Sequence, residues 1–140
     1  MNHCGTQKIE TKRLLLRQFT MADAADLLEL WIADPNVQSE YGEPIYETME
    51  EITELLKKWI AGYENPAFYR WAMVEQESNR CIGQIAFCRV YEDCRAAEIE
   101  YCVSAHFWGK GIRVGKNSYW QCSELYHRFL LSRGLQVILL

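Results

Sequence analysis

The stretch from Glu98 to Ile112, EIEYCVSAHFWGKGI, holds the residues whose types and spacing suit chemistry best. It reads as a strand, then a short loop ending Gly109-Lys110-Gly111, then the start of a helix. The first amides of a helix lack intrahelical partners and sit at the positive end of its dipole, so they form an anion site. Glycines at 109 and 111 let the backbone approach a pyrophosphate with no Cβ in the way, and Lys110 adds positive charge. The same Gly-x-Gly also suits an ordinary strand-to-helix turn, and the glycines alone favour that plainer reading. Upstream, Glu98 and Glu100 lie two apart on the strand and therefore share a face. They are either carboxylates available for proton transfer or solvated and ion-paired groups.

Six cysteines stand at positions 4, 81, 88, 94, 102 and 122, and none forms C-x-x-C. Only His3, His106 and His127 could complete a metal site with them. Cys81 and Cys88 fall in one strand at odd separation, hence on opposite faces. All six read as reduced thiols, with no disulfide framework and no metal.

The chain has 140 residues, is 49% hydrophobic and carries a net charge of −4. That length suits one domain, 1–140, with a sizeable core. Its five Trp, eight Tyr and five Phe exclude a disordered chain. Acids and bases are spread without a basic stripe, which argues against a nucleic-acid partner. No apolar stretch approaches the roughly 20 residues of a membrane span, and MNHCGTQKIETKR lacks a secretory apolar segment. The expected location is the cytoplasm.

The elements that must position the segment can be read in order. Glu10 to Phe19 reads as a strand. Thr20 and Asp23 have capping-box spacing, and the helix that follows stops before Pro35. A loop with Pro35, Gly42 and Pro44 leads to a second helix. Thr48 caps it, Glu51 stands at its third position, and Ile52, Leu55, Leu56, Trp59 and Ile60 form one apolar face. Strands follow at Tyr69–Glu75, Arg80–Val90 and Ala96–Ser104, separated by turn residues.

In this order the chain resembles the GCN5-related N-acetyltransferases, in the branch typified by the RimJ/RimL ribosomal-protein acetyltransferases. ETKRLLLRQFTMADAADLLELW is similar to that branch's first strand and helix. Cys81-Ile82-Gly83 resembles its central strands, and AEIEYCVSAHFWGKG resembles its fourth strand and coenzyme signature. The resemblance spans about residues 9 to 112. It implies an α/β (α+β) fold, a mixed, mostly antiparallel sheet flanked by helices, and transfer of acetyl from acetyl-CoA to an amine acceptor. Gly109 and Gly111 match the signature, with Lys110 and Ile112 lending amides to the pyrophosphate. His106 stands where Gln or Arg is usual. Cys102 and Val103 lie at the end of the fourth strand, where backbone groups meet the pantetheine arm, and the Val103 amide would polarise the thioester carbonyl. Glu98 fits the family's acidic position, which makes it the candidate general base. Tyr41 is a candidate for lining the amine pocket, or else an ordinary packed tyrosine.

The tail after Gly111 departs from the family pattern, and two readings stand open. Read literally, Tyr119, Cys122, Leu125, Tyr126 and Phe129 form a helix face, Gly134 caps it and Leu135–Leu140 make a fifth strand. Alternatively, a frameshift replaces the native residues there, since the +1 frame permits a more family-like continuation. Either reading leaves the fold short of its closing strands. A truncated, non-catalytic remnant keeping part of the coenzyme site is therefore the rival to an enzyme. A shortened sheet is expected to be marginally stable, to dimerise or aggregate through an open edge, and to transfer acetyl near background.

Overall fold

The computed structural model describes residues 3–40, 43–108 and 136–139, the last four as a strand only. Among the described residues, six strands form one sheet in the order β1-β2-β3-β4-β5-β6. Neighbours from β1 to β5 are antiparallel, and β6 runs parallel to β5. The sheet is mixed and mostly antiparallel, with helices against it.

The first segment is a hairpin of β1 (Ile9–Glu10) and β2 (Leu14–Arg17), rather than the single strand expected from Glu10 to Phe19. Thr11 makes the break. Its amide donates to the Leu14 carbonyl at 2.8 Å, and its Oγ1 accepts from the Leu14 amide at 3.0 Å. Leu14 and Leu16, two apart, are buried on one face.

A 3₁₀ turn over Met21–Asp23 leads into α1 (Ala24–Leu30). The Asp23 carboxylate accepts from the Thr20 amide at 2.8 Å and from both Arg17 guanidinium nitrogens at 2.9 and 2.8 Å. Buried at 4% exposure, that carboxylate is charge-paired as its position demands. A further helix, α2 (Pro35–Glu40), occupies part of the expected loop. Proline suits a first helical position because its missing N–H would be unpaired there anyway. In α3 (Met49–Gly62) the Glu51 amide donates to Thr48 Oγ1 at 3.2 Å, and Glu51 reaches back to the Thr48 amide at 3.4 Å. Ile52 and Leu56 on its inner face are fully buried.

The central strands are β3 (Arg70–Glu75), β4 (Arg80–Tyr91) and β5 (Ala96–Val103). One core lies on each side of them. Phe19, Leu27, Trp31, Ile52, Leu56, Ala72 and Cys102 pack on the helix side. Leu14, Leu16, Trp71, Met73, Ile99 and Val103 pack on the other. Cys81 is buried and Cys88 exposed, but register shifts along β4 interrupt the strict alternation that would have set them on opposite faces. Gly83 has a specific cause, because a Cβ there would lie 2.1 Å from the Cys102 carbonyl oxygen. Any side chain at 83 would push β4 away from the part of β5 that carries the candidate site.

Tyr63 ties α3 to both β2 and β3. Its hydroxyl accepts from the Phe19 amide at 2.9 Å and donates to the Arg70 carbonyl at 2.8 Å. Burial pushes the hydroxyl up to about 12, against about 10 in an unfolded chain. The folded protein thus keeps a proton that the unfolded chain gives up first. The stability linked to Tyr63 is complete below about pH 10 and is lost as pH rises toward 12. The loss is at most about 3 kcal/mol and is reduced by partial solvent screening. Tyr63→Phe should remove this part of the alkaline fall, as read from urea denaturation of both proteins across that range.

β6 (Gln136–Leu139) is the strand expected from the literal reading of the tail at Leu135–Leu140. It covers the β5 edge from Ala96 to Ile99, so that part of the edge is not open. No helix among the described residues is long and apolar enough to cross a membrane.

Candidate active site

The site is built where the β5–β6 pairing ends. Ala96, Ala97, Glu98 and Ile99 face Gln136, Val137, Ile138 and Leu139 in register. β5 continues to Val103, and no strand among the described residues pairs with it on that side beyond Ile99. On the other side, the Ser104 amide donates to the Ile82 carbonyl at 2.7 Å. Antiparallel pairing alternates every second residue. The backbone groups of Cys102 therefore point to Gln84 of β4, while those of Val103 point to the open side. The Val103 carbonyl shows this directly, since it accepts from the Trp108 indole N–H at 2.9 Å. The peptide between Val103 and Ser104 is thus held at both ends, and the alternation sends the Val103 N–H, in the preceding peptide, to the same side as the Val103 carbonyl. The Cys102 thiol is buried in the helix-side core.

A 3₁₀ turn over Ala105–Phe107 follows, with its last amide contacts closing at Trp108. The Ser104 hydroxyl beside it is buried without a hydrogen-bond partner among the described residues. Gly109, Lys110, Gly111 and Ile112, the expected pyrophosphate loop, lie outside the described residues, as does Tyr41.

Glu98 and Glu100 share the helix-side face with Cys102, as their spacing requires. Glu98 lies in the paired part of β5, opposite Ile138 and next to Arg89. Its carboxylate accepts a hydrogen bond from the Tyr91 hydroxyl across the hairpin. Glu100 is the first residue beyond the β6 pairing. It pairs with Arg70 at 2.9 Å, both side chains being mostly buried. Arg70, Ala86 and Glu100 stand in one row across β3, β4 and β5, and the small Ala86 side chain leaves the ion pair room.

Arg70 also donates to the Gln84 side-chain oxygen and lies over the Trp59 ring at 4.5 Å. Around it is a cavity of about 70 Å³, lined by Glu43, Tyr46, Trp59, Arg70, Gln84 and Glu100 among others. Burial, then the Glu100 charge, raises the Glu43 carboxyl above its usual range, against the pull of Arg70. Tyr46 is likewise raised, first by burial and then by Glu43 and Glu51. The loop of Glu43–Tyr46 is held in place by Gln38, whose amide side chain donates to the Pro44 carbonyl at 2.6 Å. Sequence reasoning missed Glu43, Tyr46 and Arg70, which come from a loop and from β3 and carry no spacing that links them.

The described strands thus form a mixed sheet in which β5 runs on past its parallel neighbour, with a charged cavity beside that point. The family model of the acetyltransferase (GNAT) domain matches residues 13–115. The chain belongs to the GNAT acetyltransferase family. It is 30% identical over 104 residues to the uncharacterized N-acetyltransferase YoaA of Bacillus subtilis (strain 168), across 74% of this chain and 58% of YoaA. The chain thus spans less than two thirds of the curated relatives it matches. The ribosomal-protein-S5-alanine acetyltransferase of Vibrio fischeri has a similar fold, with a TM-score of 0.70 at 14% identity. That match covers 95% of this chain and 73% of the other. The microcin C7 self-immunity acetyltransferase MccE, solved with acetyl-CoA and AMP, also matches at a TM-score of 0.70 and 13% identity. Here the coverage is 92% of this chain and 69% of MccE.

Proposed function

We propose that the protein binds acetyl-CoA along the open side of β5 and transfers its acetyl group to a primary amine. The acceptor is a protein N-terminus or a small-molecule amine, in the manner of the RimJ/RimL-like enzymes, acting in the cytoplasm. The observation that carries this reading is the end of the β5–β6 pairing at Ile99, with the Val103 amide aimed at the side left open. A pantetheine arm laid there would pair with β5 backbone as a strand does. The Val103 amide donates to the thioester oxygen as negative charge builds on it, while the backbone groups of Cys102 stay with β4 and Cys102 serves only to place Val103. Gly109, Lys110, Gly111 and Ile112 hold the pyrophosphate.

An alkylamine with a pKa of about 10.4 is under one part in a thousand neutral at pH 7, so removing its proton is part of the catalytic task. Glu98 takes that proton. The amine nitrogen then bonds to the thioester carbon, and the C–S bond breaks to release coenzyme A thiolate. Glu100 is the weaker choice of base because its carboxylate is held by Arg70.

The test is calorimetric titration with acetyl-CoA. Gly111→Glu, which sets bulk and like charge beside the phosphates, should weaken binding by about 100-fold, as expected for loss of charge-assisted bonds. Equal binding by both folded proteins, or no binding by the folded wild type, removes the proposed coenzyme site.

A further inference from the structure

The indole of Trp108 lies on the open side of β5, at the strand end assigned to the coenzyme. Its ring N–H donates to the Val103 carbonyl at 2.9 Å, yet the residue stays 44% exposed. The turn that brings it back over the strand end is anchored on both faces of the sheet. Ala105 packs against the helix-side core and Phe107 against the other. The Phe107 amide donates to the Ser104 carbonyl at 3.0 Å, and the Trp108 amide donates to the Ala105 carbonyl at 3.2 Å. The ring is therefore tied in place by its N–H and by its main chain, while much of its surface is left uncovered. With so much of the residue in solvent, burial is a small part of what this contact supplies. Its specific effect is to occupy the Val103 carbonyl.

We infer that Trp108 is the positioning residue that sets how far the pantetheine arm runs along β5, by leaving the Val103 amide as a donor with no free acceptor beside it. The inference rests on the acetyl-CoA reading for its ligand and on the Val103 contact for its chemistry. An unpaired strand edge offers an N–H and a carbonyl at every second residue, and any amide of the arm can pair with both. Such an edge fixes direction but not register, since one amide fits as well as the next. The arm's amides each carry an N–H and a carbonyl, whereas its terminal thioester carries a carbonyl alone. With the Val103 carbonyl already bonded to the indole, an arm amide placed there would strand its own N–H away from water, which is unfavourable. The thioester has no N–H to strand. Val103 is therefore matched to the thioester, and the acetyl group stops at the donor that polarises it. A carbonyl oxygen can accept a second hydrogen bond, but a donor using it must come in around the indole ring. Trp108 acts through Val103 and not on the reacting atoms.

Acetyl-CoA and S-ethyl-CoA, in which a methylene replaces the thioester carbonyl, separate this role from general support of the fold. Both are titrated calorimetrically into the whole chain and into Trp108→Phe, which keeps an aromatic ring and removes the N–H. The wild type should bind acetyl-CoA about tenfold tighter than S-ethyl-CoA, the worth of one hydrogen bond to the thioester oxygen. Trp108→Phe should bring the two ligands to within about twofold, because an arm amide can then pair with the freed Val103 carbonyl and carry the thioester out of register. Loss of packing alone would weaken both ligands together and leave their ratio unchanged. No preference in the wild type, or the same preference in a folded Trp108→Phe, overturns the inference. A second readout needs no variant. The Trp108 indole N–H should exchange with solvent as slowly in the acetyl-CoA complex as in the free protein. Faster exchange on binding would make the indole a plug that the arm displaces, and that too overturns the inference. If neither ligand binds the folded wild type, the acetyl-CoA reading falls and this inference with it. If both bind and their ratio ignores Trp108→Phe, the role of Trp108 falls alone.

Discussion

Replacing Glu98 with glutamine is expected to lower turnover at neutral pH by about 10² to 10⁴, the usual contribution of a positioned general base. The assay is acetyl transfer to an amine by the protein, or by the chain extended to its relatives' length. The substitution keeps the shape of the side chain and the hydrogen bond from the Tyr91 hydroxyl, so the fold should survive. What it removes is a group able to take the ammonium proton. At high pH the amine is already neutral and needs no such group. The deficit should therefore shrink as pH rises, and the variant's rate should climb more steeply than that of the wild type. A pH–rate profile parallel to that of the wild type would reduce Glu98 to a structural partner of Tyr91.

The second large effect is on stability. Arg70 holds Glu100 and Gln84 in the sheet and stacks on Trp59 of α3. Glu100 keeps only 18% of its side-chain surface exposed. Arg70→Met keeps most of the aliphatic packing but leaves that carboxylate with no cation. Removing one partner of a buried pair typically costs about 3–5 kcal/mol, a large part of the roughly 5–15 kcal/mol that holds a domain together. Replacing both partners, Arg70→Met with Glu100→Gln, should recover most of the loss, because no charge is then stranded. Urea denaturation of the two variants and the wild type decides this. A single-variant loss below about 1 kcal/mol would mean that the pair is solvated like an ordinary surface bridge.

The two predictions differ in how far the sequence alone supports them. Glu98 and Glu100 were legible because a strand alternates its side chains, so residues two apart must share a face. Thr20 with Asp23 and Thr48 with Glu51 were legible as caps because the chemistry is local, and both acids do reach back to the cap amide. β3, β4 and β5 were legible to within a residue or so for the same local reasons. Arg70 was not. Its partners come from β4, β5 and α3, and no spacing along the chain announces a meeting across three strands. The cavity loop was hidden too. α2 is only six residues long, too short for an apolar stripe, and Pro35 reads as readily as a helix stop as a helix start. Tyr46 lines that cavity, whereas Tyr41 lies outside the described residues. The hairpin at Thr11 was hidden by the unbroken LLLR run that follows it.

The central claim is that the coenzyme's arm lies along β5 past Ile99 and is read by the Val103 amide. The most direct measurement is an amide NMR titration of the whole chain with acetyl-CoA. The account predicts that the Val103 N–H signal moves downfield and saturates with the ligand, while amides on the paired stretch Ala96–Ile99 move little. Saturable binding of acetyl-CoA that leaves the Val103 signal where it was would contradict it.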